Sequence, residues 1–173
     1  MKKPETIVQL WKEERRILTE FESKKFLKQA GIPVIETRLA RTLKEAVLLS
    51  QKMGFPVALK IASPEIVHKS DSGGVRLSLN NTSEVRAAYR EIIDGVQKKY
   101  PSASIQGVSV QKMAKPGTEV IVGTSKDPQF GPVIMFGLGG IFVEVLKDVS
   151  FRIIPLSRKD SLEMIEEIKG YPL

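Results

Sequence analysis

The chain contains no cysteine, which excludes thiol chemistry, cysteine-ligated zinc and a disulfide scaffold. It contains a single histidine, His68, so it cannot build a metal site from several histidines. Long apolar runs are also missing. No stretch reaches the roughly 18 apolar residues of a membrane span, and charges interrupt the N-terminal apolar residues, unlike those of a signal peptide. We therefore expect a cytoplasmic protein without a membrane partner.

Aromatic residues are scarce at 6%, so few side chains could stack on nucleic-acid bases. The net charge of +7 comes from 27 Lys and Arg against 20 Asp and Glu. Such a balance suits nucleic acid, a phosphorylated cofactor or an acidic subunit. However, basic and acidic residues alternate, as in WKEERR and MIEEIKG, rather than forming a basic stripe. We therefore expect no nucleic-acid partner.

Apolar spacing predicts helices early in the chain and mostly strands later. The predicted helices are 5–18, one beginning at Thr19, one beginning at Thr42, one opened by Ser83 and one opened by Ser157. Thr19 with Glu22, and Thr42 with Glu45, have the capping-box spacing. The predicted strands are VALKIA, VRLSLN, SIQGVSVQKM, EVIVGTS, PVIMFGL and FRIIPL.

The order of these elements is not the regular alternation of a doubly wound sheet. It favours an α+β architecture with antiparallel pairs. MAKPGTE, residues 113–119, is the best candidate for a hinge between two lobes, 1–113 and 114–173.

The familiar phosphate loops are absent. A Walker loop needs a Lys and a Ser or Thr directly after its second glycine, but Thr124 follows Gly123. The dinucleotide-binding fingerprint Gly-x-Gly-x-x-Gly requires a glycine as its last residue, but the matching segment GLGGIF ends in Phe142.

Lys60 suggests a different way to hold phosphates. It lies in a strand between Leu59 and Ile61 and points away from them. A lysine facing the interior is costly unless an anion neutralises it. SDSGGV, residues 70–75, follows with small residues whose backbone N–H groups can approach phosphate oxygens. The alternative is a solvent-facing lysine followed by an ordinary hairpin turn.

His68 lies in the polar loop IVHKSDSGG between these features. A hydrolase triad with Ser70 and Asp71 is disfavoured, because such close neighbours in one loop rarely converge and no Gly-x-Ser-x-Gly elbow exists. A neutral imidazole is nucleophilic near neutral pH, so His68 suits a phosphoryl acceptor or proton shuttle. A lone loop histidine can equally be an exposed bystander.

Two later segments could contact a nucleotide. In SVQKMAKPGTEVIVG, Gln111 and nearby amides could read an adenine edge and Glu119 could accept ribose hydroxyls. In FGPVIMFGLGGIFVE, glycines permit close approach of a ligand. Each segment has an alternative explanation without a ligand: a plain connection between strands for the first, and a tight turn for the glycines of the second.

These segments occur together in an order that resembles the ATP-grasp subunit of ADP-forming acyl-CoA (acetyl-CoA) synthetases. The resemblance runs from about residue 19 to the last residue, and segments 58–77 and 117–144 carry its most specific motifs. It implies an α+β ATP-grasp fold of two small α/β lobes with largely antiparallel sheets. We expect the second lobe to be incomplete at KGYPL.

The resemblance implies the reaction acyl-CoA + ADP + phosphate ⇌ acid + CoA + ATP. In that family a CoA-binding α subunit, or a fused domain, carries a histidine that is phosphorylated and swings to the ATP-grasp site. His68 would then relay the phosphoryl group to ADP. The resemblance also implies a set of nucleotide-binding residues. Lys60 would contact the phosphates, and Ser72, Gly73 and Gly74 would form a flap over them. Gln111, Lys112 and Met113 would line the adenine, Glu119 would lie beside the ribose or phosphates, and Gly139 and Gly140 would face the transferred phosphoryl group.

Phosphoryl transfer also requires Mg²⁺. The family's metal ligands are expected beyond residue 173, so none is assigned. We expect activity only with the partner and that further region. The sequence leaves two alternatives open: the ATP-grasp-like part of a fused protein acyltransferase, and a non-catalytic fragment that scaffolds a CoA-binding partner.

Overall fold

The structure is a computed structural model that describes residues 18–140 and 147–172. The chain divides into two compact units, 1–114 and 115–173, and each unit has its own sheet. Residues 5–17 of the first predicted helix lie outside the described residues. So do residues 141–144 of the second glycine-containing segment.

In chain order, the described residues of the first unit form α1 (Glu20–Gln29), β1 (Thr37–Ala40), α2 (Leu43–Met53), β2 (Val57–Ala62), β3 (Val75–Leu79), α3 (Thr82–Lys99) and β4 (Gly107–Lys112). The strands form an antiparallel sheet in the order β1-β4-β2-β3. Helix α2 packs against β1 and β4, and α3 packs against β2, β3 and α2.

The core of this unit lies between the sheet and the helices α2 and α3. Leu59 and Ile61 of β2 are fully buried, whereas Lys60 projects to the other face with partial exposure. The alternation follows from the strand's two-residue period. The predicted orientation of Lys60 relative to its neighbours is therefore confirmed.

In the part of the first unit that the structure describes, helix starts agree with the predicted caps in two of three cases. Thr19 and Glu22 form the complete capping box. The Thr42 hydroxyl accepts the backbone N–H of Glu45 at 3.2 Å, but the Glu45 carboxylate accepts from the N–H of Arg41, so this box is only half formed.

The prediction that Ser83 opens the third helix of this unit is wrong. Asn81 caps it instead, and its side-chain oxygen accepts from the N–H of Glu84 at 2.9 Å. An N-cap oxygen bonds the amide two or three positions later. Asn81 stands three residues before Glu84, whereas Ser83 directly precedes Glu84 and cannot bond its amide in this way.

The described residues of the second unit form three strands and a helix: β5 (Val120–Asp127), β6 (Gly131–Leu138), β7 (Val149–Ile153) and α4 (Arg158–Glu166). The strands pair antiparallel in the order β5-β6-β7, and α4, with Ser157 as its predicted N-cap, packs on β6 and β7. The buried side includes Leu138 and Met164, and the Ser150 hydroxyl donates to the Met164 carbonyl at 2.6 Å. Across both described ranges, no helix combines the length and apolarity needed to cross a membrane.

Candidate functional site

The face of the first sheet that carries Lys60 also carries polar groups from β4. Lys60 pairs with Ser109, and Ala58 pairs with Gln111, so Ser109 and Gln111 project to the same side as Lys60. Helix α1 supplies charged side chains to this side. The ammonium nitrogen (Nζ) of Lys60 lies 2.9 Å from the Glu20 carboxylate, with the Lys60 side chain 23% exposed.

Glu20 is the centre of a cluster of three lysines. Its Oε1 accepts from Lys60 and also lies 3.0 Å from Nζ of Lys24, while its Oε2 lies 3.8 Å from Nζ of Lys69. We call Glu20, Lys24, Lys60 and Lys69 the lysine cluster. The anion required by the mid-strand lysine is thus supplied, in this structure, by the chain itself.

Burial tends to raise the pKa of Glu20, but hydrogen bonds and charge from Lys60 and Lys24 outweigh it. The pKa therefore lies below the ordinary value of 4.5. A carboxyl with a depressed pKa contributes stability that is present above its unfolded pKa and is lost as the pH falls through the folded value.

We expect Glu20→Gln to lower the free energy of unfolding by about 1–2 kcal/mol at pH 7. The difference from wild type should shrink as the pH falls below 4.5 and through the lowered pKa of the native carboxyl, because that carboxyl then becomes protonated. Denaturant unfolding at pH 7, 4.5 and 3 measures this. Glu91→Gln is the control, because Glu91 makes an ion pair with Arg76 but is 58% exposed. A Glu20→Gln difference that is independent of pH would contradict the account.

The loop between β2 and β3 carries His68 and the predicted flap. The His68 side chain is exposed, directly beside Lys69 of the lysine cluster. Ser72 is buried, and its hydroxyl donates to the Lys69 carbonyl at 2.8 Å. The Gly74 amide donates to the same carbonyl at 2.8 Å, so two hydrogen bonds fix the backbone at Lys69.

The two glycines of the predicted flap meet different structural demands. Gly73 has a φ of +72° with open space around it, so the backbone conformation favours glycine there. Gly74 has no positive φ, but a Cβ would lie 2.4 Å from Cγ2 of Ile61 in the core. Backbone conformation at Gly73 and close packing against the core at Gly74 therefore account for both glycines without a ligand.

The predicted adenine-side residues end β4. Gln111 is partly buried, and its side-chain oxygen accepts a hydrogen bond from Lys24, which also donates to the Thr37 hydroxyl at 3.0 Å. Lys112 is exposed. The Met113 amide donates to the Pro56 carbonyl at 3.3 Å. Lys24 thus connects the end of β4 to the lysine cluster.

In the second unit the structure brings Glu119 together with the two predicted glycines. The Gly139 amide donates to the Glu119 carbonyl at 2.6 Å. A Cβ on Gly140, whose φ is +62°, would lie 3.1 Å from the Glu119 carboxylate. Close packing against Glu119 therefore explains why residue 139 is small, and backbone conformation explains Gly140.

The ATP-grasp domain family matches residues 9–173. The chain is 52% identical over 171 residues to the β subunit of acetate–CoA ligase (ADP-forming) I of Pyrococcus furiosus, covering 99% of this chain and 74% of that protein. It is an ATP-grasp chain of the ADP-forming acetate–CoA ligase β-subunit family.

Solved structures agree with this ATP-grasp assignment. An acetyl-coenzyme A synthetase 1 of Candidatus Korarchaeum cryptofilum, in complex with coenzyme A, Ca-AMPCP and HgCl⁺, has a TM-score of 0.94 at 51% identity, covering 97% of this chain and 73% of that chain. The same protein with coenzyme A and Mg-AMPPCP, its phosphohistidine segment pointing towards the nucleotide binding site, has a TM-score of 0.81 at 48% identity over 98% and 72% of the two chains. The predicted family and fold are confirmed, and the acyltransferase and scaffold alternatives are not favoured.

Sequence patterns missed Glu20, Lys24 and Lys69 of the ATP-grasp chain. The i,i+4 spacing of Glu20 and Lys24 on α1 was a readable signal for a helical ion pair. Their approach to β2 and the His68 loop was not readable, because it depends on how α1 packs. Among the described residues, no group of three or more His, Asp or Glu could hold a metal ion.

Proposed function

We propose that this chain is the nucleotide-binding β subunit of an ADP-forming acyl-CoA synthetase, which interconverts acyl-CoA, ADP and phosphate with acid, CoA and ATP. One observation carries the proposal: Lys60 projects mid-strand from the sheet face that also carries Gln111, eight residues before the chain's single histidine. In a chain of this family, an ammonium group in that position suits the phosphates of ADP or ATP.

His68 relays the phosphoryl group in this proposal. A neutral ring nitrogen of His68 attacks the phosphorus of the partner's phosphohistidine, so that one N–P bond forms as the other breaks. A terminal oxygen of the ADP β-phosphate then attacks phosphorus on His68, releasing the imidazole and forming ATP. The exposure of His68 allows both donor and acceptor to approach it.

The remaining predicted residues would orient the nucleotide. Because the Gln111 side-chain oxygen accepts from Lys24, its –NH₂ group is the donor it would offer to an adenine nitrogen. Lys112 and Met113 would continue the adenine contact. Glu119 would accept from the ribose or face the phosphates. Ser72, Gly73 and Gly74 would cover the phosphates, and Gly139 and Gly140 would face the transferred group.

We further propose that the two units are the two ATP-grasp lobes, and that the partner is a CoA-binding α subunit or fused domain. Mg²⁺, when bound, would spread the charge of the phosphates. As the family resemblance implies, its ligands are expected beyond residue 173, and none is assigned here.

Calorimetric titration of ADP and ATP, each with Mg²⁺, tests the nucleotide site. We expect Lys60→Ala to weaken binding by about 10-fold to 100-fold, because a charge-assisted hydrogen bond to phosphate is lost. Lys52→Ala, which removes an exposed lysine from α2, is the matched control and should leave the affinity within about twofold. Equal affinities of wild type and Lys60→Ala would remove Lys60 from the site.

A further inference from the structure

The lysine cluster contains more positive charge than its own carboxylate can balance. Three ammonium groups surround one carboxylate, which leaves a net charge of +2 in a small volume. The four side chains are only about one-fifth exposed: 19% for Glu20, 21% for Lys24, 23% for Lys60 and 20% for Lys69. Like charges brought together away from water repel strongly. The cluster therefore favours a further anion.

The three lysines come from separate elements and converge on one point. Lys24 lies on α1, Lys60 on β2 and Lys69 in the loop after β2. The hydrogen bonds from Ser72 and Gly74 to the Lys69 carbonyl fix that loop locally. Lys24 is also held by Thr37 and Gln111. An isolated surface lysine lacks such support.

The point of convergence is the Glu20 carboxylate. A carboxylate and a phosphate are both anionic oxygen groups that accept hydrogen bonds from ammonium groups. The position that Glu20 occupies between the three ammonium groups is therefore the position in which phosphate oxygens would best be neutralised.

We propose that Lys24 and Lys69, together with Lys60, form one phosphate-binding cluster in which the Glu20 carboxylate holds the place of phosphate until a phosphate ligand displaces it. The inference rests on the proposed function and deepens it. It adds two ligands for the nucleotide phosphates and assigns Glu20 as an internal competitor for them.

If phosphate displaces the Glu20 carboxylate, substitutions of the lysines and of Glu20 should change the affinity for phosphate in opposite directions. Removing Lys24 or Lys69 removes attraction for phosphate. Removing the charge of Glu20 removes the competing anion and raises the net charge of the cluster from +2 to +3, so that phosphate should bind more tightly. If Glu20 served only to orient the lysines, its loss would weaken binding instead.

The test measures binding of MgADP and of inorganic tripolyphosphate by calorimetry at pH 7.5, using the full chain. We expect Lys24→Ala and Lys69→Ala each to weaken both ligands by about 10-fold. Glu20→Gln should tighten both by about fivefold. Lys25→Ala, beside Lys24 on α1 but exposed, should change either affinity by less than about twofold. Thermal unfolding of each variant verifies that it is folded at the temperature of the titration.

The outcomes separate this inference from the proposed function. If wild type binds MgADP and the Lys24→Ala and Lys69→Ala variants bind it with the same affinity, the proposed phosphate-binding cluster is overturned while the nucleotide function stands. Weaker binding by Glu20→Gln would overturn its role as a competitor. Binding of tripolyphosphate but not MgADP, with the expected variant effects, would support the cluster and overturn the nucleotide function. Binding of neither ligand by wild type would overturn both.

Discussion

His68→Ala should reduce acid-, CoA- and ATP-dependent turnover of the assembled enzyme by about 10³-fold or more, because the acceptor of the phosphoryl group is removed. The chain has no other histidine that could take over this role. Nucleotide affinity should stay within about threefold of wild type, since the lysines that we assign to phosphate binding are retained. Steady-state ADP release and calorimetric titration measure the two effects separately.

Ser70→Ala is the matched control for His68→Ala. Ser70 is exposed in the same loop, and its backbone carbonyl, which the substitution retains, accepts the Gly73 amide at 3.0 Å. We expect turnover of this variant to remain within about twofold of wild type. Undiminished turnover of His68→Ala would show that phosphoryl transfer does not pass through His68.

Gly107→Ala should lower the free energy of unfolding by about 3 kcal/mol, the largest stability effect that we expect. Gly107 begins β4 with a φ of +126°, and a Cβ there would lie 2.2 Å from the carbonyl oxygen of Ala40. Both the backbone conformation and the space therefore exclude a side chain. The contact is with backbone at the end of β1, so a change of rotamer cannot relieve it.

Gly95→Ala provides the opposite expectation within the same unit. Gly95 is exposed in α3, and a Cβ there meets no atom within 4 Å. Alanine in a helix interior should stabilise the unit by about 0.5–1 kcal/mol. Denaturant unfolding followed by circular dichroism measures both variants. A Gly107→Ala protein as stable as wild type would contradict the packing of β4 against β1.

Patterns within a few residues predicted much of the fold. Alternation about Lys60 predicted β2 and the face on which the lysine lies, and the Thr19 and Ser157 caps were readable from spacing. The error at Ser83 came from three neighbouring cap candidates, 81–83, of which only Asn81 stands three residues before the acidic Glu84. Local chemistry sufficed where the hydrogen bonds were local.

Contacts distant in sequence could not be predicted in this way. The mid-strand lysine indicated that an anion was required, but its partner Glu20 lies 40 residues earlier. Gly107 gives no local signal of the Ala40 carbonyl, because that contact arises only when β1 pairs with β4. The resemblance of ordered motifs, rather than any single motif, indicated the nucleotide function.

Detection of phosphate on His68 tests the central claim most directly. The assembled enzyme is incubated with Mg²⁺ and ATP labelled at the γ-phosphate, and the subunits are separated under alkaline conditions that preserve phosphohistidine. We predict acid-labile label on this chain, in the peptide that contains His68, which added ADP removes as labelled ATP and which His68→Ala lacks. Label on the partner alone, with this chain unlabelled throughout turnover, would contradict the relay.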